Sequence, residues 1–323
     1  MTHSRRQMLR ILGAGAALGL AGLALRSRPQ TVHWQGEALG ALAAITLWHP
    51  RPAHARATLV RVEAELGRLA RIFDLHDRAS EIARLNTSGT LEHPSTDLLE
   101  VLGAAREMAE RSGGGFDPTV QPLWLARSLR PGDGRALDAA RTLVGHAAVD
   151  TGPGRIRFGR AGMQLTLNGI AQGHVADRIA MILKSEGFDE ALIDAGEIRA
   201  IGWGPDGGGH ALGRVDPTAP TRIAGTLRLG DGALAVSGGY GMRLPDGGHH
   251  ILDPRSGQSV DGIIETIVSH PRAITADGLS TALHVVGADR AGALVAAHPG
   301  AAARIMLADG RVLRFGAGPA SEA

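Results

Sequence analysis

The chain has 323 residues, with 34 Lys or Arg against 32 Asp or Glu for a net charge of +2, and it contains no cysteine. Zero cysteines exclude disulfides, thiolate-held zinc and cysteine nucleophiles. The near-neutral balance, without a basic stripe interleaved with aromatics, argues against nucleic acid as a partner. The hydrophobic fraction of 44% is that of an ordinary globular protein, but aromatics are only 3%, so Ala, Val, Leu and Ile must build the core. Lys184 is the only lysine, so arginine sets the pI of about 9.8.

Ser4-Arg5-Arg6-Gln7-Met8-Leu9 precedes a Gly/Ala-rich apolar run over 11–25, and Arg26 follows. A charged start before a short apolar run is the plan of an export signal. The adjacent arginines and weak hydrophobicity resemble the twin-arginine class, which carries folded proteins. Residues 1–28 are read as such a signal, either cleaved or retained as a membrane tether. The expected location is the periplasm or the outer face of the inner membrane. A chance Arg pair before a core helix is the alternative. Residues 29–323 carry no obvious internal linker and are read as one domain.

Residues 27–35 read as a linker and 40–48 as a first strand. Apolar residues at helical spacing (Leu59, Val62, Leu66, Leu69) predict a helix over 53–72. Residues 80–85 predict a short helix or turn ending at Asn86. Residues 96–111 predict a longer helix, with Thr96 as N-cap and a glycine stop at Gly113-Gly114-Gly115. A short helix over 138–143 follows, then strands over 148–158 and 164–167. A helix over 173–186 closes at Gly187. Strands are expected over 191–194, 197–201, 211–215, 226–229, 233–237, 249–252 and 263–268. Helices over 275–286 and 290–297 precede a hairpin of 304–307 and 311–315 across Asp309-Gly310, a strong turn pair. Helices come early and strands late without regular alternation, which predicts an α+β fold with antiparallel sheets and flanking helices.

Four stretches can carry chemistry. In Ala276-Asp277-Gly278-Leu279-Ser280-Thr281 the carboxylate and the hydroxyl of Asp277 and Thr281 are one helical turn apart and share a face. At a helix start such hard oxygen ligands suit a magnesium ion that also holds phosphates. Ser280 sits beside that face. The plainer alternative is N-terminal capping by Asp277 and a buried Thr. In Asn168-Gly169-Ile170-Ala171-Gln172-Gly173, a glycine-flanked turn into a helix, amides can meet a phosphate and a carbonyl can meet a metal; an ordinary turn is the alternative. In Gly113-Gly114-Gly115-Phe116-Asp117-Pro118-Thr119-Val120, glycine permits close backbone approach to a ligand and Phe116 can pack on a flat ring. A plain turn explains it equally well. His249-His250-Ile251-Leu252-Asp253-Pro254 places two imidazoles at a strand edge. Neighbours on a strand face opposite ways, so only one can enter a given cleft. That one can act as a general base; a surface pair is the alternative.

Together these pieces resemble the ApbE family, the FAD:protein FMN transferases. Seven stretches are similar and in order: Phe73 to Asn86 (with Ser80 to Asn86 inside it), Gly114 to Val120, Asn168 to Gly173 with Val175-Ala176-Asp177, Ala195-Gly196-Glu197-Ile198, Ser237-Gly238 with Tyr240, His250 to Pro254, and Ala276 to Leu283. The resemblance runs over about 34–315. It implies that Asp277 and Thr281, with the Gly169 carbonyl and Ser280, hold Mg2+ against the FAD diphosphate. It implies FAD contacts at Leu39, His76, Gly115, Phe116, Asp117, Thr166, Gln172 and Ile251. It makes His250 the base that deprotonates a Thr or Ser hydroxyl of an acceptor flavoprotein, a subunit of a membrane electron-transport complex. That oxygen then attacks the FMN-side phosphorus and AMP leaves. The departures are Gln172 where Lys is common, no aromatic near His76, Leu39 for Met, Thr166 for Asp and Ala195 for Gly. Two alternative functions remain open: a magnesium-dependent FAD pyrophosphatase, and a catalytically weak periplasmic flavin-binding or assembly factor.

Overall fold

The computed structural model describes residues 9–11 and 29–322. The expected leader lies outside the described residues, apart from Leu9–Ile11, a short strand paired antiparallel with His210–Asp216. The centre of the protein is an eight-stranded sheet. Its order is Val312–Gly316, Ala302–Leu307, Ile263–His270, Gly232–Gly238, Ile198–Ile201, Ala191–Asp194, Ala41–His49 and Gln30–Ala38. Every neighbouring pair is antiparallel.

Strand residues alternate between the two faces of this sheet. Ala191 and Ile193 join a large core with the helices, whereas Leu192 joins a smaller cluster with Ile198, Leu212, Leu227 and Leu229. The second cluster glues a four-stranded sheet (Leu9–Ile11, His210–Asp216, Ala219–Leu229, Ala320–Glu322) to the face away from the helices. A three-stranded sheet of Thr90–Glu92, Arg155–Phe158 and Val149–Asp150 flanks the helical side. Each fully buried Leu or Ile contributes roughly 1.5–3 kcal/mol, so a core that is mostly aliphatic, with Phe73, Phe116, Phe158 and Phe188 among its aromatics, is sufficient at this length. The α+β class and the antiparallel sheets agree with the sequence reading.

Four helices carry the helical layer: Pro52–Phe73, Thr96–Arg111, Ala171–Ser185 and Ala273–Val286. Pro52 opens the first, at a position whose N–H would be unsatisfied in any case. Ala273–Val286 is apolar nearly all round, because it packs between the sheet and other helices. Its first amides, Ala273 and Ile274, donate to the carboxylate of Asp177 at 2.9 and 3.1 Å.

Several boundaries differ from expectation. The 27–35 linker is corrected: Gln30–Ala38 is an edge strand, whose polar outward positions hide its alternation. It turns into Ala41–His49 through Leu39 and Gly40, both at positive φ (50° and 71°). Residues 164–167 and 249–252 form no strand, beyond single bridges pairing Arg243 with His249 and Leu252 with Ser259. Ser95, not Thr96, caps Thr96–Arg111, its hydroxyl accepting from Leu98 N at 3.2 Å. The short helix expected over 138–143 lies at Gly134–Arg141, capped by Asp133. The helix Gln121–Leu129 was not expected at all.

Candidate active site

A cleft of about 1090 Å³ opens between the helical layer and the 242–260 loop. That volume suits a ligand of dinucleotide size. Twelve of the thirteen residues singled out from the sequence line it; Ser280 does not.

One wall comes from Ala273–Val286. That helix begins at Ala273, so Asp277 stands in its second turn, and the capping role falls to Asp177 instead. The expectation that Asp277 opens this helix is therefore corrected. Asp277 is 3% exposed. Its Oδ2 accepts from the Gly173 amide at 2.9 Å, in the first turn of Ala171–Ser185. The positive end of that helix, not of its own, supports the carboxylate. Thr281 is half-buried at the cleft. Ser237 Oγ lies 3.3 Å from Thr281 Oγ1 and 2.8 Å from Ser280 Oγ. Ser280 is buried behind this wall and also donates to the Asp277 carbonyl at 2.9 Å.

The Asn168–Gly173 turn meets this wall. A Cβ added at Gly169 would stand 3.0 Å from Thr281 Oγ1 and 3.4 Å from Phe116 Cε2. Glycine is what lets the turn, the hydroxyl and the ring converge. Phe116 is buried, and its amide donates to Ser112 Oγ at 3.0 Å. Gly115 is equally tight, since a Cβ there would overlap Val286. Asp117 ties the loop together: one oxygen accepts from Thr119 N at 2.8 Å, the other from His146 N at 3.0 Å. Thr166 N donates to the Pro118 carbonyl at 2.8 Å, joining the two loops. Gln172 lies against Gly196, whose φ of +99° only glycine adopts easily. Leu39 enters from the hairpin turn, and His76 from the segment after Pro52–Phe73.

The opposite wall carries the histidines. His250 and Ile251 line the cleft; His249 is buried away from it. The separation expected of the pair is kept without a regular strand. His250 Nδ1 lies 3.2 Å from the Met242 carbonyl. A carbonyl only accepts, so Nδ1 is the donor, and in the neutral ring the lone pair lies on Nε2. His249 is committed the other way: its Nε2 donates to the Val260 carbonyl at 2.9 Å and its Nδ1 accepts from Ile251 N at 3.3 Å. Burial holds the His249 pKa below its ordinary value.

The donor set of Asp277, Thr281 and the Gly169 turn is oxygen throughout. Among the described residues no cluster of three His, Cys, Asp or Glu forms an all-protein cage. Oxygen donors of this kind are the chemistry that suits a hard cation. Sequence reasoning did not place Ser237, Trp124 or Met242 at the cleft. Ser237 was visible only as part of a matched stretch, and Trp124 sits on the unrecognised helix.

Comparison with known proteins places the chain in a family. The sequence model of the ApbE family matches residues 39–305. The FAD:protein FMN transferase of Treponema pallidum (strain Nichols) is 30% identical, covering 94% of this chain and 90% of that protein. The FAD:protein FMN transferase of Vibrio cholerae serotype O1 is 27% identical, over 83% and 85%. Among solved structures, the flavin transferase ApbE from Vibrio cholerae superposes with a TM-score of 0.79 at 25% identity, over 90% of this chain and 97% of that one. The apo form of the Pseudomonas stutzeri flavinyl transferase ApbE gives 0.77 at 25% identity, over 91% and 97%. The α+β fold and these relatives define an enzyme of the transferase class. The chain belongs to the ApbE family.

Proposed function

We propose that this protein is a magnesium-dependent FAD:protein FMN transferase, which moves FMN from FAD to a Thr or Ser hydroxyl of an acceptor flavoprotein and releases AMP. The observation that carries the reading is a single cleft. It faces the Asp277–Thr281 pair and the Gly169 turn with His250, whose Nε2 lone pair is uncommitted to the Met242 carbonyl. Asp277, Thr281 and the Gly169 carbonyl are the residues to hold magnesium. The bound ion supplies neutralisation of charge on the diphosphate. Phe116 and the glycine-lined loop receive the flavin dinucleotide. His250 takes the proton from the acceptor hydroxyl at Nε2. The freed oxygen forms a bond to the FMN-side phosphorus, the bridging P–O bond breaks, and AMP departs with that electron pair. The Nδ1–H bond to Met242 fixes the tautomer this step needs.

Gln172 contributes no positive charge at the diphosphate, so FAD binding leans on the cation more than it would with Lys there. The twin-arginine reading of residues 1–28 supports action in the periplasm or at the outer face of the inner membrane. Among the described residues no helix is long and apolar enough to cross a membrane. A tether would therefore reside in the leader, and the acceptor class consistent with this location is a subunit of a membrane electron-transport complex. The test is to mix protein, FAD and magnesium with candidate acceptor domains and weigh the acceptor intact. Gain of one FMN supports the reading. FMN and AMP formed equally without any acceptor would favour an FAD pyrophosphatase. FAD binding that is indifferent to magnesium, without turnover, would favour a flavin-holding factor.

A further inference from the structure

Arg127 lies outside the cleft lining, yet it grips the loop that carries His250. It belongs to Gln121–Leu129, and it is 8% exposed. Its Nε donates to Asp246 Oδ2 at 2.6 Å, and its Nη1 donates to Ser259 Oγ at 3.0 Å and to the Gly257 carbonyl at 3.4 Å. One planar group thus gathers three separated points of the loop. Gly248 is bare backbone against it: a Cβ there would overlap the guanidinium and the Ser259 hydroxyl. Asp246, held below the ordinary carboxylate range first of all by the Arg127 hydrogen bond, keeps its charge opposite the guanidinium.

The grip passes directly to the histidines. Ser259 Oγ donates to the His249 carbonyl at 2.7 Å and accepts from the His249 amide at 2.7 Å. The backbone on both sides of the His249 α-carbon is thereby pinned, and the carbonyl so held belongs to the peptide that begins His250. On the far side the His249 ring stands edge-on to His284, centroids 6.1 Å apart, on the helix that carries Asp277 and Thr281. A Cβ at Gly239 would overlap that ring, so the ring packs directly on the Gly239 backbone. His249 therefore spaces the loop from the metal-site helix, while Arg127 and Ser259 hold the loop against it.

We propose that Arg127, acting through Ser259, is a positioning residue that sets His250 over the reacting centre; this rests on the reading of His250 as the base. An ion pair with one buried partner is a weak source of stability but a strong geometric constraint. Misplacing a base by about 1 Å costs on the order of 100-fold in rate.

The test is a double-mutant cycle on the full chain with FAD, magnesium and a working acceptor. Arg127→Gln keeps a polar side chain while removing the charge and the fork. It is expected to lower kcat for transfer roughly 10- to 100-fold. Affinity for FAD, read by flavin fluorescence, should stay within about threefold of wild type. In a His250→Ala background the same substitution should cost nothing further, because the group it positions is gone. Ser259→Ala removes only the relay hydroxyl and should show the same pattern more weakly, which covers the case in which Arg127→Gln fails to fold. An equal loss in both backgrounds, a parallel loss of FAD affinity, or wild-type kcat in both variants would overturn the inference alone. Absence of transfer by the wild-type protein would overturn the proposed function, and this inference with it.

Discussion

The Gly173 amide donates to Asp277 Oδ2 at 2.9 Å across 104 residues of sequence, locking the first turn of one helix onto the second turn of another. The two helices touch because residue 173 lacks a side chain. A Cβ there would overlap the Ala273 carbonyl and carbon and the Ile274 α-carbon. Backbone atoms cannot swing aside as a flexible side chain can. Gly173→Ala should therefore destabilise the fold by about 1–3 kcal/mol, the usual range for overpacking. Urea unfolding followed by circular dichroism checks it; an unchanged midpoint would contradict so close a contact.

The same contact bears on the cation. With one carboxylate oxygen held by Gly173, Asp277 is pre-oriented for a ligand. Asp277→Asn keeps the shape and weakens the ligand. Loss of a supporting hydrogen bond to a metal ligand costs roughly 10–100-fold in affinity, and loss of the ligand's charge should cost at least that. Titrating FAD fluorescence with and without magnesium should show that the wild type's magnesium enhancement disappears in the variant. Retained enhancement would remove Asp277 from the site.

His250→Ala should cut transfer roughly 10²–10⁴-fold, the usual contribution of a positioned base, while leaving FAD binding near wild type. His249→Ala should act differently. It deletes a buried ring that touches Gly239 and His284, so it should lower stability as well as rate. Melting temperature and single-turnover transfer, measured on both variants, separate the two roles.

Acid should unfold the protein from this corner. His284 is fully buried, with Nδ1 3.3 Å from Thr266 Oγ1, and burial pushes its pKa down to about 3 from an ordinary 6.5. The His249 pKa is lowered by burial too. Between pH 6.5 and about 3 the unfolded chain binds a proton at His284 that the folded chain refuses. The His284 contribution to stability is then level above pH 6.5, falls as pH drops through this window and levels off again below about 3. His284→Leu should flatten that slope in urea unfolding measured at several pH values. An unchanged slope would assign the acid sensitivity elsewhere.

Much of this was readable from sequence. The heptad-like spacing of Leu59, Val62, Leu66 and Leu69 located the first long helix, because burying one face requires it. The site residues were readable through ordered motifs whose glycines and hydroxyls have few other reasons to recur together. Gln30–Ala38 was hidden because an edge strand with one wet face carries His33, Gln35 and Glu37 among its apolar positions. Gln121–Leu129 was hidden because it is short and starts beside Pro122, which reads as a breaker. That cost the reading Trp124 and Arg127. The partner of Asp277 was also invisible, since a side chain capping a helix 104 residues away leaves no local signal.

The central claim is that the oxygen ligands of one helix and the imidazole of His250 work on the same dinucleotide. Intact mass of an acceptor flavoprotein domain, incubated with this protein, FAD and magnesium, tests it most directly. The account predicts a gain of one FMN on a Thr or Ser, dependent on magnesium and lost in His250→Ala. An acceptor of unchanged mass under saturating FAD and magnesium, or equal labelling by the His250 variant, would contradict it.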